Sequence, residues 1–411
     1  MTKIINFFSN KKITTLFLVA AYLITCTLVL LKTGGLGDLR FTNDFEHYHM
    51  FWHRYLNLPF SLSDLSNQLF ENSPFIDPNI RSDWRPNPIY SIIALFPLTL
   101  FGSTALINIL GMFFGSIQVI CLQRIAYRFF PKMNNFWVFI AVLICISNKW
   151  FIKESIGMST MSVASCFFFI SIVLRERPLA FVFHILTFSI RPNYLFLYLP
   201  LYALRMFSNP SNKRNLLFMK YFSILPAGFL IMRFIHSYYP GTGLNYMFVS
   251  SWQGMNFIDN YFPSYFLSRG FTSETIIEWD ASLYQTMEAL LNSDVLNYVF
   301  NLWFYKLLCN LGVRFEESFV TNFGGFISEI WGTFYSFIIT IPAFFVNFYI
   351  VIFKSFAKKN YENCIIISSL VYIILTSILF GSPRFGIIVM PILIISLFDF
   401  FLNLRSKLIS N

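Results

Sequence analysis

Apolar residues come in long runs, at 13–31, 104–123, 135–148, 157–174, 178–190, 193–206, 217–237, 333–353, 363–380 and 385–403, separated by short polar stretches. These runs are apolar on every side, where a soluble helix would show one apolar stripe, and together they predict about ten membrane-spanning helices. The segment 88–101, PIYSIIALFPLTLF, is also apolar. Pro88 and Pro97 break it, and about 14 residues are too few for an upright span, so it predicts an interfacial or re-entrant helix. Two intervals are large and more polar. Residues 32–103 form a first loop, and residues 238–332, rich in aromatics, predict amphipathic helices lying on the membrane. The fold class that follows is an all-α integral membrane protein, one polytopic domain over residues 1–411, with no internal repeat.

The cations decide the orientation. With the N-terminus cytoplasmic, the inner segments collect Lys3, Lys11 and Lys12; Arg124, Arg128 and Lys132; Arg175 and Arg177; Arg205, Lys213, Arg214 and Lys220; Lys354, Lys358 and Lys359; Arg405 and Lys407. Every cytoplasmic loop is then basic, as the positive-inside rule requires. Counting 88–101 as a span would invert everything after it and carry RIAYRFFPK to the outside. The same orientation, with both termini cytoplasmic, places most carboxylates outside: Asp38, Asp44, Glu46, Asp64, Glu71, Asp77, Asp83, Glu154 and those of 238–332. Chemistry is therefore expected on the extracytoplasmic face.

Composition agrees. The chain is 56% hydrophobic, 20% aromatic and only 12% charged, with a mean hydropathy of +0.60, far too oily for a soluble surface. The net charge of +10 lies in clusters between apolar runs, where it reads as topology signal and attraction to anionic headgroups, not as a nucleic-acid face. Cys26, Cys121, Cys145, Cys166, Cys309 and Cys364 fall mostly inside apolar runs with no CxxC, so neither a disulfide framework nor a metal knuckle is expected. The first run, about 19 residues after Lys11 and Lys12 and without a small-x-small cleavage site, predicts an uncleaved first span. Abundant Phe, Ile, Asn and Lys suggest an AT-rich genome, and compactness suggests a bacterial inner membrane over the endoplasmic reticulum.

The stretch NDFEHYHMFWHRYL, residues 43–56, gathers ionisable groups just beyond that first span. As a helix it puts Asp44, His47, Tyr48 and Phe51 on one face and Glu46, His49, Met50 and His53 on another. Three readings stand: a solvated juxtamembrane helix whose aromatics mark the interface, a divalent-ion site of Glu46, His49 and His53, or a general base in which His47 orients a carboxylate.

The order of the stretches that follow adds a resemblance. After NDFEHYHMFWHRYL come RPNPIYSIIALFPLTLFG, a span ending in QRIAYRFFPK, then ISNKWFIKESIGMS, LTFSIRPNYLFLYLPLYALR, MEALLNSDVLNYVFNLWFYKLL and GSPRFGIIVMPILII. Over residues 13–403 this order resembles the C-type (GT-C fold) membrane glycosyltransferases, the superfamily of protein mannosyltransferases and the lipid A aminoarabinose transferase. It departs from them in carrying Asn43-Asp44 where relatives often have Asp-Glu or Asp-x-Asp, and in lacking a late soluble domain. The resemblance implies that Asp44 is the first-loop catalytic carboxylate and that Arg384, before an apolar Pro-containing helix, approaches a lipid phosphate. It also implies that Arg191 is the middle-motif cation and Glu154 the acid of the second external loop. Glu46, His47 and Arg85 join these as candidate substrate-binding residues, and no metal or cofactor is expected. The implied partners are a polyprenyl-phosphate sugar donor, a glycan, lipid or protein acceptor, and the bilayer.

For single residues the plainer expectations are that Glu154 and Lys153 form a surface ion pair, that Arg384 anchors at headgroups, and that Arg191 lines a wet cavity or caps a loop. Two other classes compete with the transferase. A polysaccharide polymerase or O-antigen ligase would rely on external Arg and His in place of a first-loop Asp. A lipid-linked sugar transporter or flippase would show paired repeats and ionisable groups at the midplanes of its spans.

Overall fold

The computed structural model describes residues 10–37, 90, 93, 105–131, 133–175, 177–208, 268, 270, 283–312, 332, 334–355, 361–379 and 383–410. Among them every regular element is helical. Four helices are long and apolar enough to cross a membrane: Lys11–Thr33, Ala105–Phe129, Ser336–Phe353 and Tyr361–Ile378. The chain is thus a multi-pass membrane protein, all-helical among its described residues. The first of these, α1 (Lys11–Thr33), buries Thr14, Leu18, Tyr22, Cys26 and Leu30 at a spacing of four and leaves Leu16, Ile24, Leu28 and Leu31 exposed for lipid. Its hydroxyls are engaged within the helix, Thr25 and Thr27 each donating 2.8 Å to the carbonyl four residues earlier.

The described helices group into two compact units. Residues 1–195, 202–239 and 398–411 form the first, which holds α1, α2 (Ala105–Phe129), α3 (Asn135–Ile146), α4 (Lys149–Ile156), α5 (Thr160–Leu174) and α6 (Pro178–Ile190). Small residues let its helices approach. A Cβ on Gly115 of α2 would stand 1.8 Å from Tyr22 Oη of α1, and one on Gly111 would stand 2.0 Å from the Ser155 carbonyl of α4. Polar side chains of α2 then bind its neighbours. The amide of Gln118 donates 3.0 Å to the carbonyl and to the hydroxyl of Ser162, and Thr15 Oγ1 donates 2.5 Å to Gln123 Oε1.

Where the apolar run 135–148 predicts one straight span followed by a loop, the structure turns the chain by 67° between α3 and α4. The cause is local: Asn148 accepts the Trp150 N–H at 2.8 Å and starts a new helix, so residues 149–156 are helical and all but Lys149 and Lys153 are buried. Helices α5 and α6 are short, with 15 and 13 residues. They are followed by a 3-10 turn, Pro192–Tyr194, and by α7 (Leu195–Ser208). The run 217–237 lies outside the described residues.

The second unit comprises residues 196–201 and 240–397. It holds α8 (Leu283–Leu290), α9 (Ser293–Asn310), a helix built of a π turn (Ser336–Thr340), α10 (Ile341–Ile350) and a second π turn (Val351–Ser355), then α11 (Tyr361–Leu379), α12 (Pro383–Gly386) and the first part of α13 (Met390–Ser410). Pro342 at the start of α10 has no N–H to give the preceding turn, which accounts for the π geometry there. Asn347 Nδ2 ties α10 to α13 through the Leu393 carbonyl at 2.9 Å. The apolar run 385–403 is broken at 387–389, so α12 and α13 are separate helices where the sequence predicts one.

Candidate functional site

In the first unit, polar chemistry centres on the turn between α4 and α5. Gly157 N–H donates 3.1 Å to the Lys153 carbonyl and Ser159 N–H donates 3.0 Å to that of Glu154, closing α4. Met158 between them takes φ = +46°, a left-handed conformation uncommon for a bulky side chain, and it persists because the surroundings hold it. Tyr90 Oη donates 2.6 Å to the Met158 carbonyl, and Tyr90 itself is fully buried. Asn108 of α2 uses both ends of its amide: Nδ2 donates 3.1 Å to the Ile156 carbonyl, and Oδ1 accepts the Gly37 N–H at 2.7 Å. Gly37, just beyond α1, and Tyr90, late in the first loop, are thereby both tied to one turn.

Glu154 lies at that turn and is 3% exposed. The surface setting expected for Glu154 is therefore corrected: its side chain is buried. Lys153 Nζ sits 5.1 Å from the centre of the Trp150 ring, a cation–π contact, while Glu154 points into the protein. The reason is the crossing at Gly111, which pulls α4 onto α2 and encloses its carboxylate-bearing face.

Arg191 ends α6. Its N–H donates 3.0 Å to the Thr187 carbonyl and its own carbonyl accepts from Tyr194 N–H at 3.1 Å, so its backbone joins the helix end to the 3-10 turn, as a loop cap would. Tyr194 docks that turn on α5 through a 3.1 Å hydrogen bond with Ser165 Oγ. Tyr202 Oη of α7 and His184 Nδ1 of α6 share a 2.8 Å hydrogen bond.

In the second unit, Arg384 belongs to α12, two residues before Gly386. A Cβ on Gly386 would lie 2.1 Å from the Asn310 carbonyl, so glycine lets α12 rest against the end of α9. Four residues back along α9 is Lys306, which is completely buried. Burial pushes its ammonium down to about 7, partly opposed by Cys309. Reading the sequence missed this residue. The signal was there: Tyr298, Leu302, Lys306 and Asn310 recur every fourth position, which places the charge in the stripe that faces the core.

Asp44, Glu46, His47 and Arg85, and with them the His49 and His53 of the metal reading, lie outside the described residues. What the structure brings together is Glu154 with the two anchors of the first loop in one unit, and the end of α9, one turn beyond Lys306, with the backbone of the Arg384 helix in the other. No protein-family model, no curated protein and no solved structure matches the chain.

Proposed function

We propose that this protein is a membrane glycosyltransferase that moves a sugar from a polyprenyl-phosphate donor to a hydroxyl of a lipid, glycan or protein acceptor, on the extracytoplasmic face of a bacterial inner membrane. The reading joins the order of the sequence stretches to an all-helical, multi-pass scaffold. One observation supports it most: Gly37 and Tyr90, which bracket the segment carrying Asp44, are both fastened to the turn that buries Glu154. A catalytic loop needs such fixed ends, because an acceptor must be held in near-attack geometry. The finer topology of about ten spans, with both termini cytoplasmic, belongs to the same proposal.

In the reaction, the acceptor O–H gives its proton to the Asp44 carboxylate as its oxygen bonds to C1 of the sugar. The C1–O bond to phosphate breaks with its electron pair, and polyprenyl phosphate departs, inverting the anomeric centre through an oxocarbenium-like transition state. Phosphate leaves as a stable anion, so no general acid is needed, whereas cations in a low-dielectric site are, and Arg384 and Arg191 are the candidates.

The test is sugar transfer from a panel of labelled polyprenyl-phosphate sugars in proteoliposomes, wild type against Asp44→Asn. A glycosylated product with release of polyprenyl phosphate, lost in the variant, supports the proposal. Full activity in Asp44→Asn removes Asp44 as base and favours a polymerase or ligase that works through external Arg and His. Movement of a lipid-linked sugar across the vesicle with no covalent product makes the protein a transporter.

A further inference from the structure

Helices that start level in the first unit do not end level. α1 and α2 run antiparallel and in step: Lys11 Nζ sits 4.6 Å from the centre of the Tyr127 ring, Thr15 Oγ1 bonds Gln123, and Gly37 N–H reaches Asn108. Helix α3 begins at the Tyr127 end. Phe130 and Met133 N–H groups bond carbonyls three or four residues back, and Asn134 caps α3 by accepting the Trp137 N–H at 3.0 Å. From this common start α1 runs for 23 residues, about 34 Å, enough to cross a hydrocarbon core of about 30 Å. α3 runs for only 12, about 18 Å, before the chain bends by 67° into α4.

A second path gives the same height. At that bend the 8 residues of α4 add a rise of about 5 Å, so α4 ends about 23 Å above the start. On α2, Gly111 touches the Ser155 carbonyl of α4 and lies 17 positions, about 26 Å, from Arg128, whose Nη1 donates 2.5 Å to the Val173 carbonyl at the end of α5. The elbow at residues 147–148 therefore stands about 10 Å inside the edge of a 30 Å core.

Its outward surface is polar. Phe136, Ile140, Leu143 and Ser147 are partly exposed at spacings of three and four, so one stripe of α3 faces out of the unit. Asn148 continues the stripe, and on α4 Lys149 and Lys153 alone escape burial. Lys153 lies 5.1 Å from the centre of the Trp150 ring, an ammonium beside an indole as at a headgroup boundary. At the same height α1 shows oil: Ile24, 13 positions beyond Lys11 and about 20 Å up, is exposed, as are Leu28 and Leu31 above it. A break in the helix and two ammonium groups are poorly placed against hydrocarbon, whereas thinning a leaflet costs little per ångström.

We infer that the α3–α4 elbow is a lipid-binding surface, beside which the leaflet on the α4 side dips by about 10 Å and lays phospholipid phosphates against Lys149 and Lys153. Lysine suits this partner, as a point charge donating to phosphate oxygen. The dip follows from helix lengths and requires no transfer reaction. In the proposed orientation it lies in the outer leaflet, and it brings a lipid phosphate near the height of the turn after Glu154.

Spin labels on Ser147→Cys and Ile24→Cys, which stand about level, test it with the full chain in nanodiscs of phosphatidylcholine and phosphatidylglycerol. The native cysteines are buried, so each variant takes one label, and size-exclusion elution confirms that it is folded. Access of oxygen and of a water-soluble nickel chelate reads the depth. The Ser147 label should lie within about 5 Å of the phosphates and the Ile24 label about 10 Å from them. Equal depths overturn the inference. A bimane at Ser147→Cys then separates headgroups from water held in a protein recess. Phosphatidylglycerol carrying a headgroup nitroxide should quench it more than a bimane at Ile24→Cys, and nickel access without that quenching would rule out lipid as the occupant. Changing Lys149 and Lys153 together to methionine should lower the quenching at Ser147→Cys at least about twofold, and unchanged quenching would overturn the phosphate contact. Sugar transfer by a chain whose two labels lie equally deep would sink this inference and leave the transferase standing. A dip with no transfer from any donor would do the reverse.

Discussion

A lysine with no exposure carries its protonation state as a stability term. The Lys306 ammonium is held near 7, below its ordinary 10.5, so between those values the unfolded chain binds a proton that the folded chain does not. Stability contributed at this position therefore rises with pH through that window, and below about 7 the full cost of the buried charge is present. The change in thermal midpoint caused by Lys306→Met should accordingly be more favourable at pH 6.5 than at pH 9.5. A change that does not depend on pH would show that Lys306 titrates normally. Tyr90 makes a simpler case. Replacing it with Phe leaves the buried Met158 carbonyl without its 2.6 Å donor, and a loss of about 1–2 kcal/mol is expected in denaturant unfolding. The same variant should lower transfer activity through the turn that holds Glu154, with kcat falling more than the donor KM changes.

Between elements, two glycines of α2 make different demands. A Cβ at Gly111 meets backbone, the Ser155 carbonyl at 2.0 Å, whereas one at Gly115 meets the tip of the Tyr22 side chain at 1.8 Å. Backbone of a short capped helix has nowhere to go, so Gly111→Ala should cost about 1–3 kcal/mol by separating α2 from α4. Gly115→Ala should cost less, and Tyr22→Phe in the same chain should recover part of it. If thermal unfolding ranks the two glycines the other way, the crossing of α2 and α4 is not where stability resides. This crossing also explains what was legible beforehand. The run 13–31 lies within α1, and 104–123 and 363–380 lie within α2 and α11 to one residue each, because a long apolar run specifies a long helix almost by itself. The breaks at 147–148 and 387–389 were not legible. They depend on the Asn148 cap and on glycine-mediated crossings at Ser155 and Asn310, and neither changes the hydropathy of the run. The site followed the same rule. Glu154 and Arg191 were visible as charges between runs, while Lys306, one charge inside an apolar helix, shows its role only once the helical phase is known.

At the scale of the whole molecule, orientation is the open quantity. All six cysteines are buried and free, so the intact protein should resist a membrane-impermeant maleimide and react fully once denatured. It therefore needs no cysteine removal before topology mapping. In oriented vesicles with the outer face exposed, Ser63→Cys should label directly and Ser211→Cys only after permeabilisation. Labelling of both from one side would refute the inward-basic arrangement of the loops.

The hydroxyl groups of α1 bear on biogenesis. Thr25 and Thr27 face outward, and each has its hydrogen engaged by the carbonyl one turn back. To the insertion machinery, the emerging segment therefore partitions into hydrocarbon as an oilier sequence than its letters suggest, since neither group must shed a water it cannot replace. A nascent first helix that leaves the aqueous channel readily fixes the frame in which all later segments are threaded.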